Sequence, residues 1–147
     1  MGLENGIYVK PKTAKAENYL LENWEDIVLH EAFKLEDKSI AYQIGYFIKF
    51  WGLRKDILTA LGMTKEEQED SDLCGEHSVT RLQFKVIYDI LCKHINKEYY
   101  EEVDGYWDYH IAARMLGEVI WTIGCMIEDF DALNLWDEVE LGFYDSP

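Results

Sequence analysis

The sequence predicts an all-α fold, or one nearly so: a single compact helical bundle of about five to six helices, with short strands only at the chain ends. Two observations carry this expectation. Apolar residues recur at three- and four-residue spacing through most of the chain. Helix start and stop signals punctuate it at Thr13, Gly62, Thr64 and Ser78.

Asn5-Gly6 is a turn signal, and Ile7-Tyr8-Val9 after it reads as a short strand or an extended arm closed by Pro11. Thr13 caps a first helix over 14–35, through Leu20, Trp24, Ile27 and Val28. A second helix begins near Asp37 or Ser39 and carries Ile40, Ile44, Phe47, Ile48 and Trp51. Leu53 to Leu61 is a short third helix stopped by Gly62. Thr64-Lys65-Glu66-Glu67 is a capping box opening a short acidic turn. Ser78 caps a helix over 79–94, and 98–103 is an acidic helix or turn broken at Asp104-Gly105.

The longest helix spans 107–129. Its only polar stripe is His110, Arg114, Glu118 and Thr122, which places it at the centre of a bundle. Asp131 caps a last helix to Leu141, and Gly142-Phe143-Tyr144 is a tail or a strand paired with 7–9. Ala41, Gly45 and Gly52 recur as Ala113, Gly117 and Gly124. Glycines at such spacing mark close helix contact, because each costs about 1 kcal/mol in a helix interior relative to alanine.

The chain has 147 residues, the size of one domain over 1–147. Cys74, Cys92 and Cys125 are odd in number and lack a secretory framework, so free thiols in a reducing, cytoplasmic setting are expected. Neither a signal peptide nor a membrane span is read from the apolar runs.

The net charge is −15, and its distribution is uneven. Residues 1–97 hold 16 acids and 13 bases, whereas residues 98–147 hold 13 acids and one base, Arg114. Such a balance opposes direct nucleic-acid binding, which needs cations to displace counterions.

Catalytic and metal sets fare poorly. Cys74, His77, Cys92 and His94 lack zinc-finger spacing. None of His30, His77, His94 and His110 has a Glu three residues earlier, so the di-metal bundle pattern is missing. Cys74, Glu76 and His77 are neighbours in sequence, but nothing in their spacing demands a nucleophile and base. There is no glycine-rich phosphate loop. No catalytic residue, cofactor or metal is expected.

The remaining signal is acidic and aromatic. Glu98, Glu101, Glu102, Asp104 and Asp108 alternate with tyrosines and Trp107. Glu128, Asp129, Asp131, Asp137, Glu138 and Glu140 follow, with Trp136 among them. Carboxylates a helical turn apart stand about 5–6 Å apart at Cβ, comparable to charges along a nucleic-acid strand. Aromatic neighbours supply anchors. The expected function is therefore a non-enzymatic binding or inhibitor protein. It would present this surface to the basic, nucleic-acid-binding site of a partner protein such as a nuclease. In general character the chain resembles nucleic-acid mimics, phage anti-CRISPR proteins and nuclease-toxin immunity proteins, with no motif matched residue by residue. The alternatives are a helical enzyme or small-ligand protein with an aromatic-lined pocket, and a homo-oligomer burying its aromatics against itself.

Overall fold

A computed structural model describes residues 3–95 and 109–146. Its centre is a five-stranded antiparallel sheet in the order β2-β3-β1-β5-β4. The strands are β1 (Glu4–Pro11), β2 (Ala32–Lys34), β3 (Ile40–Ile48), β4 (Gly75–Val79) and β5 (Val139–Ser146). The helices are α1 (Ala14–Asn23), α2 (Glu25–His30), α3 (Trp51–Ala60), α4 (Lys65–Glu69), α5 (Arg81–His94) and α6 (Tyr109–Ala132). The all-α bundle is therefore overturned: the domain is mixed, with helices packed on a sheet.

The decisive misreading is β3. Ile40, Ile44 and Ile48 fit a helix at four-residue spacing, but four is also twice the strand period. Ile40, Tyr42, Ile44, Tyr46 and Ile48 form an alternating β-branched and aromatic series. A bulge then breaks the alternation. Ile7 pairs with Gly45 while Tyr8 pairs with Gln43, so Ile44 is the extra residue. The bulge lets Tyr42, Ile44 and Phe47 all join the main core. Gly45 faces that core too, where a Cβ would stand 2.8 Å from Cγ1 of Val119 on α6.

The chain ends form the middle of this sheet. Ile7 pairs with Phe143 and Val9 with Leu141. Ile7, Val9, Leu141 and Phe143 bury their side chains with Leu53, Ile57, Phe84, Ile87, Leu116, Ile123 and Phe130. The other face carries a smaller cluster of Tyr8, Leu35 and Ala41, with Phe33 against it. The β2–β3 turn, with Lys38 at φ 73, folds over this outer face. There the Glu36 amide donates to Glu76 Oε2 of β4 at 2.8 Å. These strands are opposite edges, about 19 Å apart in a flat sheet of five. The contact requires a curled sheet and a turn that reaches across it.

The predicted first helix over 14–35 stops at Trp24, whose φ and ψ of −134 and 44 lie outside the helical well, and the chain enters β2 after α2. Thr80, with Gln83 as its capping-box partner, caps α5 in place of Ser78, because β4 runs on to Val79. The capping box at Thr64 and Glu67 is present, and Gly62 follows α3 at φ 89. After α6, Asn134 takes φ 53, where a helix to Leu141 was expected; residues 136–138 form a 3-10 turn that leads into β5.

One polar group organises the core end of the sheet. Asp145 is 2% exposed. It accepts from Asn5 Nδ2 at 2.7 Å and bidentately from Arg54 Nε and Nη2 at 2.9 Å each. Arg54 Nη2 also donates to the Gln68 carbonyl at 2.7 Å. The pair ties β1, β5, α3 and α4 together, and the carboxylate holds the guanidinium's pKa above its usual range. Among the described residues no helix is long and apolar enough to cross a membrane.

Candidate functional site

Glu98, Glu101, Glu102, Asp104, Trp107 and Asp108 lie outside the described residues. The later acids are mostly engaged within the fold. Asp129 accepts from the Tyr19 hydroxyl at 2.6 Å, and that hydroxyl accepts from Trp24 Nε1 at 2.9 Å. Asp131 accepts from Trp136 Nε1 and Arg81 Nη2, each at 2.8 Å, and lies 3.5 Å from Lys85 Nζ. The indole bond first, and then Lys85 and Arg81, hold the Asp131 carboxyl below its usual pKa. Glu138 accepts from Thr13 Oγ1 at 3.0 Å and pairs with Lys15 at 3.3 Å. Glu140 pairs with Lys10 at 3.3 Å. Trp136 is 9% exposed, packed edge-on to Phe130 and Phe84, with Arg81 and Lys85 over its ring. It pins β5 to the helices and is largely covered. Glu128 and Asp137 remain on the surface, and each lines a concavity.

Glu76 and His77 are successive in β4, so they point to opposite faces of the sheet. The His77 register partner is Phe143 of the core face, and its Nε2 is buried without a hydrogen-bond partner. Burial, more than its charged neighbours, pushes the Cys74 thiol up in pKa, which lowers its thiolate fraction. His94 Nε2 lies 2.7 Å from Asp56 Oδ2, while Cys92 is exposed. Among the described residues no three His, Cys, Asp or Glu side chains converge as metal ligands.

Among the described residues the most exposed aromatic surface is instead on α6. Leu116, Val119, Ile123, Met126 and Phe130 bury one face of this helix against the sheet and α5. Trp121 is two residues from both Val119 and Ile123, about 200° round a helix, and so points away. It is 64% exposed. Gly117 and Gly124, about one turn to either side, present no side chain that would shield it. The α6 helix is therefore a surface helix and not the centre of a bundle.

Trp121 is not loose. Its ring packs edge-on against Trp24, with centroids 5.4 Å apart at 72°. The hydrogen bonds through Tyr19 and Asp129 fix Trp24 in turn. Burial, and next the bond to Asp129, raise the Tyr19 pKa, so the phenol stays neutral. This chain of contacts fixes the orientation of Trp121 before any partner arrives.

A groove opens on each side of this ridge. One, between α5 and α6, measures about 790 Å³; Tyr88, Ile95, Ile120 and Ile127 line it, with Lys85, Asp89 and Glu128 at its edge. Gly124 deepens this groove and brings α5 close, since a Cβ there would stand 3.1 Å from Tyr88 Cε2. The second, about 680 Å³, lies towards α2 and includes Trp24, Asp26, Ile27, Arg114 and Glu118. Gly117 and Trp121 line both. Asp26, Asp89, Glu118 and Glu128 outnumber Lys85 and Arg114 around the ridge. The Arg114–Glu118 pair spans 3.6 Å with both side chains exposed, so it costs little to open.

Sequence reading missed Trp121 because its helix appeared apolar all round. The usable signal was the tryptophan between two glycines, at Gly117, Trp121 and Gly124. No known family model, curated protein or solved structure matches this chain.

Proposed function

We propose that this protein is a non-enzymatic binding protein that docks another protein through the Trp121 ridge and its acid-edged grooves. The observation that carries this reading is a tryptophan 64% exposed yet held in place by a second tryptophan, with apolar concavities on both sides. Exposed tryptophans of this kind serve as interface anchors, because they bury a large apolar area at small entropic cost. The partner is basic. The chain carries −15, and the carboxylates around the ridge exceed the cations there. A groove that normally receives nucleic acid has the required positive potential, so the partner class is a nucleic-acid-binding protein or nuclease and the activity is inhibition by occupancy.

The test is affinity capture from the native host with wild-type protein and Trp121→Ala in parallel. The expected result is a basic protein retained by the wild type and lost from the variant. Equal retention by both would remove the ridge from the interface. The second reading, a small apolar ligand in the α5–α6 groove, is favoured by the volume of about 790 Å³ and its Tyr88 and Trp121 walls. An organic extract of native protein, read by mass spectrometry, separates the two.

A further inference from the structure

A further concavity, of about 420 Å³, lies where β4 leaves the sheet and β5 enters it, apart from the Trp121 ridge. Tyr8, Ser78, Thr80, Asp137 and Glu140 line it. Tyr8 is 6% exposed, and its ring lies across Gly142 of β5, where a Cβ would overlap Cζ and Oη. Gly142 pairs with Tyr8 on one side and Ser78 on the other, so the ring runs from β1 over β5 towards β4. Its hydroxyl makes no hydrogen bond to any described residue. A buried ring thus carries a hydroxyl that reaches solvent at a concavity and bonds to no described residue.

The surroundings select the charge of what would meet it. Burial comes first, and then Glu76, Glu140, Asp37 and Glu36 act together to push the Tyr8 pKa up to about 12. The nearby cations are committed. Lys10 bridges Asp37 at 3.5 Å and Glu140 at 3.3 Å, and Arg81 binds Asp131 while covering Trp136. No metal-ligand set of three converges among the described residues. A guanidinium prefers one carboxylate in bidentate geometry, whereas an ammonium turns three donors towards separate acceptors. The geometry points to a binding site for a primary alkylammonium group, donating to the Tyr8 hydroxyl and, beside Ser78, to the Glu140 carboxylate, whose exposed pair with Lys10 at 3.3 Å leaves acceptor sites open. A free diamine and a lysine side chain share this chemistry. The inference does not depend on the reading of Trp121.

The test is amide NMR titration of the full chain with 1,4-diaminobutane and, separately, Nα-acetyl-lysine methylamide, against sodium chloride at matched ionic strength. Saturable shifts are expected at Ser78, Thr80 and Gly142, with affinity about tenfold weaker in Tyr8→Phe and in Glu140→Gln, each of which removes one charge-assisted hydrogen bond. Tyr8→Phe keeps the packed ring, and Glu140 is exposed, so between them the two variants report on the site and not on folding. Saturation by the diamine alone identifies a free amine as the ligand; saturation by the lysine derivative as well admits a side chain of another protein. Shifts reproduced by sodium chloride, unsaturable shifts with both amines, or parental affinity in both variants would overturn the site.

Discussion

Replacing Asp145 with Asn should be among the most damaging single changes in this protein. The carboxylate is 2% exposed and receives three hydrogen bonds, one from Asn5 and two from Arg54. An amide at this position loses the charge and turns an NH2 group towards donors. Arg54 would be left with an unneutralised guanidinium, and Asn5 with an unmatched amide. Breaking a buried pair costs about 3–5 kcal/mol. The Arg54 side chain keeps 12% exposure, so water can reach it, and the lower end applies, about 3 kcal/mol. For a domain of this size that corresponds to a fall in Tm of roughly 6–12 °C. Urea unfolding followed by far-UV circular dichroism should show a lower midpoint at unchanged slope. The double variant Arg54→Met with Asp145→Leu should recover part of the loss, because it leaves no buried charge behind although the Asn5 amide stays unmatched. A loss below about 1 kcal/mol for Asp145→Asn would refute the reasoning, since it would mean that this pair behaves as an exposed one.

Gly45→Val should destabilise by about 1–3 kcal/mol through overpacking against Val119, and Val119→Ala in the same chain should relieve part of it; thermal melts of the three variants check this. Gly117→Ala should be neutral or stabilising by up to about 1 kcal/mol, because the nearest atom to a Cβ there is Ile95 Cδ1 at an ordinary 3.8 Å; a clear loss would show that Gly117 is packed against something closer. The Asp131 pKa is depressed in the fold, so its contribution is present above the ordinary carboxylate pKa and is lost as pH falls through the depressed value. A carboxyl-carbon NMR titration should find Asp131 below the usual range, and Trp136→Phe should return it towards that range.

The parts of the fold legible in the sequence are those fixed by local chemistry. Thr64 and Glu67 satisfy each other's backbone groups whatever surrounds them, and Gly62 supplies a left-handed turn that other residues resist. The sheet was hidden because its signals are non-local or ambiguous in period. The β1 strand shows only Ile7, Tyr8 and Val9 as an apolar run, and its two neighbours come from residues 40–48 and 139–146. In β3 the bulge at Ile44 disrupts the alternation that would have identified a strand. Gly45 looked like a helix-contact glycine; it does meet α6 closely, but from a strand. The surroundings of the predicted site residues were not legible. The chain is acidic and aromatic, but pairing partners for Asp129, Asp131, Glu138 and Glu140 are distant in sequence, at Tyr19, Arg81, Lys15 and Lys10. No run of residues shows that these carboxylates are already engaged, or that Trp136 is buried while Trp121 is exposed.

The most direct test of the binding reading is surface plasmon resonance against the captured partner at two salt concentrations. Trp121→Ala and a charge reversal of Asp26, Glu118 and Glu128 to Lys would be compared with wild type. Electrostatic steering fades as the Debye length shrinks from about 10 Å at 0.1 M salt to about 3 Å at 1 M. The wild-type on-rate should therefore fall with salt, and the charge-reversed variant should associate slowly at both concentrations. Trp121→Ala should keep the on-rate and raise the off-rate, with affinity falling by about 2 kcal/mol or more, as for a central anchor. Wild-type kinetics in both variants, with no salt dependence, would contradict the account and leave the acidic charge as a determinant of solubility alone.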